Sequence, residues 1–174
     1  MPHTIEPAAS GRAKCRGCGQ VIAKDELRFG ERLPNPFADD SEMTLWFHIP
    51  CAAYKRPKSL QEVLFEADGV ENLESLESII AAGLEHRRLP RINGLQRAPS
   101  GRAKCRCCHE MIAKDDWRIP LVYFEDGMFN PSGFIHLACT LEFFETTDVM
   151  ERLLFFASGL QEDQIVDVRK ELGV

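Results

Sequence analysis

The chain carries one stretch twice. SGRAKCRGCGQVIAKDELR at residues 10–28 returns as SGRAKCRCCHEMIAKDDWR at 100–118, with 13 identities in 19 positions at an offset of 90. The register continues beyond it: LWFHIPC ends at Cys51 and GFIHLAC at Cys139, an offset of 88, and LQEVLFEADGV (60–70) matches MERLLFFASGL (150–160) at 90 again. A repeat of this kind is one structural unit used twice, so whatever fold the first copy adopts constrains the second. Each unit has a cysteine-rich half and a helical half. The expected domains are 1–87 and 100–174, joined by RLPRINGLQRAP within 88–99.

Within each copy the cysteines and one histidine keep a fixed pattern: Cys-x2-Cys, a long loop, then His-x2-Cys. The ligand candidates are Cys15, Cys18, His48 and Cys51, then Cys105, Cys108, His136 and Cys139, with 29 residues between Cys18 and His48 and 27 between Cys108 and His136. Zinc takes four N/S donors in a tetrahedron at about 2.0 to 2.3 Å, and two short knuckles joined by a folded loop supply them. Three thiolates and one imidazole fill the shell, which suits a structural ion rather than a hydrolytic one. Two zinc ions per chain are expected. The repeat maps Gly17 onto Cys107 and leaves Cys107, the seventh cysteine, as a free thiol on the knuckle. His3, His86 and His109 belong to no such motif and are expected to face solvent.

Composition sets the compartment and the charge problem. No apolar run approaches the ~18 residues of a membrane span, and MPHTIEPAAS lacks the charged head and apolar core of a signal peptide, so an intracellular protein without a membrane partner is expected. A reducing interior in turn disfavours disulfides. The helical halves carry apolar positions three and four apart: Leu60, Val63 and Leu64, then Leu73, Leu76, Ile79 and Ile80. Met150, Leu153, Leu154, Ile165, Val166 and Arg169 repeat the arrangement less regularly. Each hairpin is expected to pack on its cysteine-rich half and complete its core.

The motif S-G-R-A-x-C-x2-C, then I-x-K-D-x-x-R, then a long loop ending in W-F-H-x2-C, resembles the poly(ADP-ribose) polymerase-type zinc finger, also found in a eukaryotic DNA ligase. The resemblance covers residues 10–51 and 100–139. It implies an α+β fold of two tandem small zinc-finger modules, each followed by a helical hairpin. It also implies recognition of DNA strand breaks through the phosphate backbone, with apolar loop residues stacked on an exposed base pair. By this resemblance Arg12, Arg28, Arg102 and Arg118 meet phosphate or the minor groove, and Lys14, Arg16, Lys104 and Arg106 thicken the same patch. Candidate stacking residues are Phe37, Met43 and Leu45 in the first copy and Phe124, Met128 and Phe129 in the second. Trp46 and Phe134 are expected to fill the finger cores.

A net charge of −6 does not oppose this reading, because the charge is unevenly placed. Residues 61–85 hold seven acids and no base, residues 86–106 seven bases and no acid, and residues 141–174 eight acids against three bases. DNA is bound through the local field. The expectation is a DNA-break binding protein, nicks foremost, acting as a monomer at DNA in the cytoplasm, nucleoid or nucleus, beside repair enzymes and with no catalytic domain of its own. Two copies would suit the two base-pair faces that a nick exposes. The competing readings are a zinc-stabilised protein-interaction or regulatory adaptor module and a small DNA end-processing enzyme.

Overall fold

The computed structural model describes residues 2–174. By internal contacts the chain forms two compact units, one holding the chain up to Glu85 together with Phe124–Phe129, the other holding His86–Tyr123 and Asn130–Val174.

In the first unit, strands β1 (Thr4–Pro7), β2 (Leu27–Pro34) and β3 (Glu42–His48) form an antiparallel sheet in sequence order. The β2–β3 register pairs Arg28 with His48, Gly30 with Trp46 and Leu33 with Met43. Successive strand residues point to opposite faces, so Leu45 and Phe47 enter the core while Trp46 stands on the other face. Gly30 permits that: a Cβ there would lie 2.7 Å from the Trp46 ring. Three helices follow, α1 (Ile49–Lys55), α2 (Pro57–Leu64) and α3 (Leu73–Glu85). Pro50 and Pro57 sit in the first turns of α1 and α2, where the missing N–H costs nothing. Leu60, Leu64, Leu76 and Ile80 join Phe29, Phe47 and Ile22 in one core, with Val63 and Ile79 at its edge. The expected helical hairpin is therefore α2 and α3, whereas Leu73 stays 38% exposed. Helix α1 is not legible in the sequence, because its apolar residues Ile49, Ala52 and Ala53 are interrupted by the metal motif.

A fully buried carboxylate ties sheet to helix in this unit. Glu31, 0% exposed, accepts from Arg56 Nε at 2.8 and 2.9 Å, from Arg56 Nη2 at 2.6 Å and from the Ser59 hydroxyl at 2.6 Å. Removing one member of such a pair strands the other, at a cost of about 3 to 5 kcal/mol. Glu31→Ala is expected to destabilise the protein near the low end of that range, since the Arg56 side chain keeps 23% exposure and can rehydrate. Urea denaturation of the variant against the parent measures it.

The second unit repeats the plan with differences. Strands β4 (Gln96–Arg97), β5 (Trp117–Glu125) and β6 (Met128–His136) lie in that order, and α4 (Thr140–Phe144), α5 (Met150–Phe156) and α6 (Glu162–Leu172) follow. Residues 88–99, read from the sequence as a join, are packed. Leu89, Ile92, Leu95 and Ala98 are buried, and β4 pairs Gln96 with Arg118. The reason is the repeat: β4 stands where β1 stands in the first unit, and Ala8 and Ala98 make equivalent backbone bonds to Glu26 and Asp116 at 2.8 Å. In α6 the buried residue is Val168, whereas Val166 is 61% exposed. The apolar face runs Ile165, Val168, Leu172, a helical spacing that the repeat alignment obscured. Helix α6 is held at its flank by Asp167, which accepts from Trp117 Nε1 at 2.8 Å and Arg97 Nη2 at 2.7 Å. No helix among the described residues is long and apolar enough to cross a membrane.

Candidate metal centres and the basic face around them

Each metal cluster is assembled from a knuckle, the end of a strand and the turn after it. In the first, the chain folds back so that Cys15 N–H donates to Gln20 O and Gly19 N–H to Cys15 O, both at 2.8 Å, which presents Cys15 and Cys18 together. His48 is the last residue of β3, and Cys51 lies in the first turn of α1. The second cluster takes Cys105 and Cys108 from the equivalent knuckle, His136 from the end of β6, and Cys139 from the 3-10 turn Leu137–Cys139.

In both groups the four ligand atoms lie within 4.8 Å of one another. Cys18 Sγ stands 3.4 Å from His48 Nδ1 and Cys108 Sγ 3.4 Å from His136 Nδ1, while Cys51 and Cys139 Sγ each stand 3.9 Å from their histidine. Cys105 and Cys139 Sγ are 3.8 Å apart. A tetrahedral ion with Zn–S bonds of about 2.3 Å places its sulfurs about 3.8 Å from each other, so the donors fit zinc in number, type and spacing. Two structural zinc ions suit the chain, held by Cys15, Cys18, His48 and Cys51 and by Cys105, Cys108, His136 and Cys139. Cys107 stands outside the second group, half-buried, as the repeat implied.

The surroundings prepare the thiolates. Backbone N–H groups of Gly17 and His48 point at Cys15 Sγ, both at 3.3 Å, and those of Cys107 and His136 point at Cys105 Sγ at 3.4 and 3.3 Å. Without metal, a hydrogen bond from the Cys51 thiol, aided by the backbone donors, holds the Cys15 thiol down to about 5. Cys51 is driven up by that same bond to Cys15 and by burial, so the pair keeps one proton between them. Burial raises Cys105, but the N–H groups of Cys108, His136 and Cys107 outweigh it and bring its thiol to about 7. Burial foremost, with the charge of Cys105, raises Cys139. Metal uptake must expel the protons that Cys51 and Cys139 retain, so affinity falls as the pH falls. The far ring nitrogen of His136 lies 3.2 Å from Met111 O, an outer bond that orients the imidazole.

The arginine and lysine candidates separate into two groups. Arg12, Lys14, Arg16, Arg102, Lys104 and Arg106 are exposed, and among the described residues none of them has a carboxylate partner. Lys14 and Arg16 line an open cleft on the first knuckle with Gly19, Thr44 and Trp46. Arg28 and Arg118 are only 8% and 7% exposed. Arg28 lies 3.5 Å over the Trp46 ring and donates to Glu6 at 3.1 Å, while its Nε has no protein acceptor. Arg118 lies 3.6 Å over Phe134, and the Gln96 amide, turned with its oxygen inward, accepts from Nε at 3.0 Å and Nη2 at 2.8 Å. Trp46, which also packs against the first unit's core, and Phe134 are thus half-buried supports for these arginines. An arginine and an aromatic residue facing each other across paired strands are visible only once the strand register is known.

The apolar loop candidates divide by burial. Phe37 is 82% exposed, in a turn closed by Asn35 N–H donating to Ser41 O at 2.9 Å and by the Asn35 side chain accepting from Phe37 N–H at 3.0 Å. Met128 is 51% exposed, and Met43 is half-buried. Leu45, Phe124 and Phe129 are not free to stack on a base. Leu45 is 3% exposed in the first unit's core, Phe129 meets Phe47 edge-on at 6.2 Å, and Phe124 lies 3.8 Å beneath the Arg56 guanidinium. These three are drawn inward because each supplies apolar area to a core of few residues. His3 is likewise not solvent-facing: its side chain is 13% exposed, its Nδ1 accepts from Arg32 N–H at 3.1 Å, and its ring meets Phe29 edge-on. His86 is half-buried, and His109 is exposed as expected.

Fold and site together define a Cys3His zinc finger in which a three-stranded sheet, a knuckle and following helices surround a closed four-donor centre. Residues 6–82 match the poly(ADP-ribose) polymerase and DNA-ligase Zn-finger region, and this part of the chain belongs to that family. Over 91% of its length the chain is 31% identical to a poly(ADP-ribose) polymerase of Drosophila melanogaster, of which it covers 17%. It is 29% identical over its whole length to a poly(ADP-ribose) polymerase of Sarcophaga peregrina, covering 20% of it. It is also 25% identical over 95% of its length to a polynucleotide 3'-phosphatase of Arabidopsis thaliana, covering 27%. The chain thus spans about a fifth of the length of the two polymerases it matches.

Proposed function

We infer that the chain binds DNA strand breaks, nicks foremost, without reading base sequence, and that both units take part. The observation that carries this is the set of exposed, unpaired cations on each zinc knuckle: Arg12, Lys14 and Arg16 on one, Arg102, Lys104 and Arg106 on the other. Unpaired guanidinium groups held by a rigid metal knuckle suit phosphate oxygens, whose spacing does not depend on sequence. Arg28 and Arg118 support that grip from beneath, fixed by their aromatic partners.

Break selectivity falls to the exposed apolar side chains, Phe37 first and then Met128, with the half-buried Met43 in support. A base face open at a nick offers such a ring a partner that intact duplex withholds. The zinc ions are structural, since four protein donors close each shell. On this reading the 174 residues bind breaks in the cell without cutting or joining them.

The test is a competition among nicked, gapped, blunt and intact duplexes of one sequence, with the parent protein and Phe37→Ser. Nicked duplex is expected to bind best. The variant should lose between about 5- and 150-fold on it, the value of one stacked base, while binding intact duplex as before. An unchanged ratio of nicked to intact affinity in the variant would remove Phe37 from the mechanism. Equal affinity of the parent for all four duplexes would remove break recognition.

A further inference from the structure

The second unit gathers three guanidinium groups around Ser132, Gly133 and Phe143. Arg91, on the 3-10 turn Leu89–Arg91, donates through Nη2 to the Ser132 hydroxyl at 2.9 Å and through Nε to Val122 O at 3.4 Å. Arg88 donates to Phe143 O at 3.1 Å, and both arginines face the Phe143 ring, at 4.7 and 5.6 Å from its centroid. Arg106 crosses Gly133, the neighbour of Ser132: a Cβ on Gly133, whose φ is +91°, would come within 2.7 Å of Arg106 Nε. Among the described residues no carboxylate pairs with any of the three. Burial, then the like charges of Arg88 and Arg106, lower the pKa of Arg91.

Like charges brought together by fixed hydrogen bonds, with no compensating acid, make a site for an anion. We propose that Arg88, Arg91 and Arg106 bind a phosphate dianion, and that its source is the terminal phosphomonoester of a broken DNA strand. The inference rests on the break-binding reading above and deepens it. Three guanidiniums exceed the single charge of a backbone diester and suit the two charges of a monoester. Arg88 and Arg91 each keep N–H donors beyond those already used, and the planar fork matches phosphate oxygens. The site belongs to the second unit alone. At the strand offset of 88, Ser132 and Gly133 correspond to Thr44 and Leu45, so the first unit has no glycine there for Arg16 to cross.

The experiment measures affinity by fluorescence anisotropy for three nicked duplexes of one sequence, ending at the nick in hydroxyls only, a 5′-phosphate, or a 3′-phosphate. The parent protein should bind one phosphorylated nick about 10-fold tighter than the hydroxyl nick, the worth of one good charge-assisted pair. Arg91→Gln should abolish that preference and leave the hydroxyl nick within about twofold. Equal binding of all three nicks by the parent overturns the proposal. So does an equal loss by Arg91→Gln on all three, which would make Arg91 a backbone contact. Should Arg91→Gln melt early, Arg88→Gln, at an exposed position, takes its place with the same expectation. If the parent does not prefer nicked over intact duplex, the break-binding reading fails by itself. A calorimetric titration with pyrophosphate then decides the site: saturable binding lost in Arg91→Gln sustains it, and no binding overturns it.

Discussion

Cys15→Ala is expected to reduce bound zinc from two ions to one per chain and to unfold most of the first unit. Cys15 is 1% exposed, receives two backbone N–H groups, and shares a core with Phe29 and Phe47, so the ion and the apolar core meet at this residue. Structural zinc supplies about 10 to 16 kcal/mol of apparent binding free energy in small fingers, comparable to or larger than the whole stability of a domain this size. Loss of one of four donors therefore outweighs any single packing change here. The second ion should remain, because its donors all lie between Cys105 and Cys139. Metal analysis, with circular dichroism in the presence of a chelator, checks both statements. Cys107→Ala is the control and should keep two ions. A Cys15→Ala protein that retains two ions and the parent melting temperature would refute the assignment.

DNA affinity is expected to fall about 10³-fold between 50 and 200 mM salt. Six exposed cations lie on the two knuckles, Arg12, Lys14, Arg16, Arg102, Lys104 and Arg106. Each phosphate neutralised releases counterions, so six contacts give a slope near −5 in a plot of log affinity against log salt. Arg12→Gln and Arg102→Gln should each flatten that slope by about one and weaken every sequence alike. Arg28→Ala should behave differently. It removes the Glu6 bond and uncovers Trp46, so it should lower the melting temperature as well as affinity. A slope near zero in the parent, or a strong preference for one sequence of intact duplex, would refute phosphate-based binding.

The net charge of −6 is compatible with this because more than half of the acids fall within residues 61–85 and 141–174, outside the knuckle sequences. Residues 61–85, with seven acids, are largely α2 and α3, helices whose apolar faces cover the core and whose remaining faces meet water.

The amino-acid order alone determined the parts of this protein that depend on local chemistry. Metal donors have fixed type and spacing, so eight ligands could be assigned from two patterns, and the repeat excluded Cys107. Paired apolar positions at helical spacing located α2, α3 and α5, because burying one face requires them. The repeat register puts Val166 on the inward face of α6, whereas the local helical period buries Val168. The tertiary structure decided what depends on pairing across distance. Strand register put Arg28 over Trp46 and Arg118 over Phe134, and gave β4 to a segment that reads as a linker. A six-residue stretch such as Phe124–Phe129 reads as an exposed loop tip, yet its two aromatic rings are half-buried against partners far away in sequence. The charge cluster of Arg88, Arg91 and Arg106 is likewise spread over 19 positions and converges only because Ser132 and Gly133 return beside it. Ligand type and helical period are properties of neighbours along the chain, whereas burial and charge convergence are properties of neighbours in space.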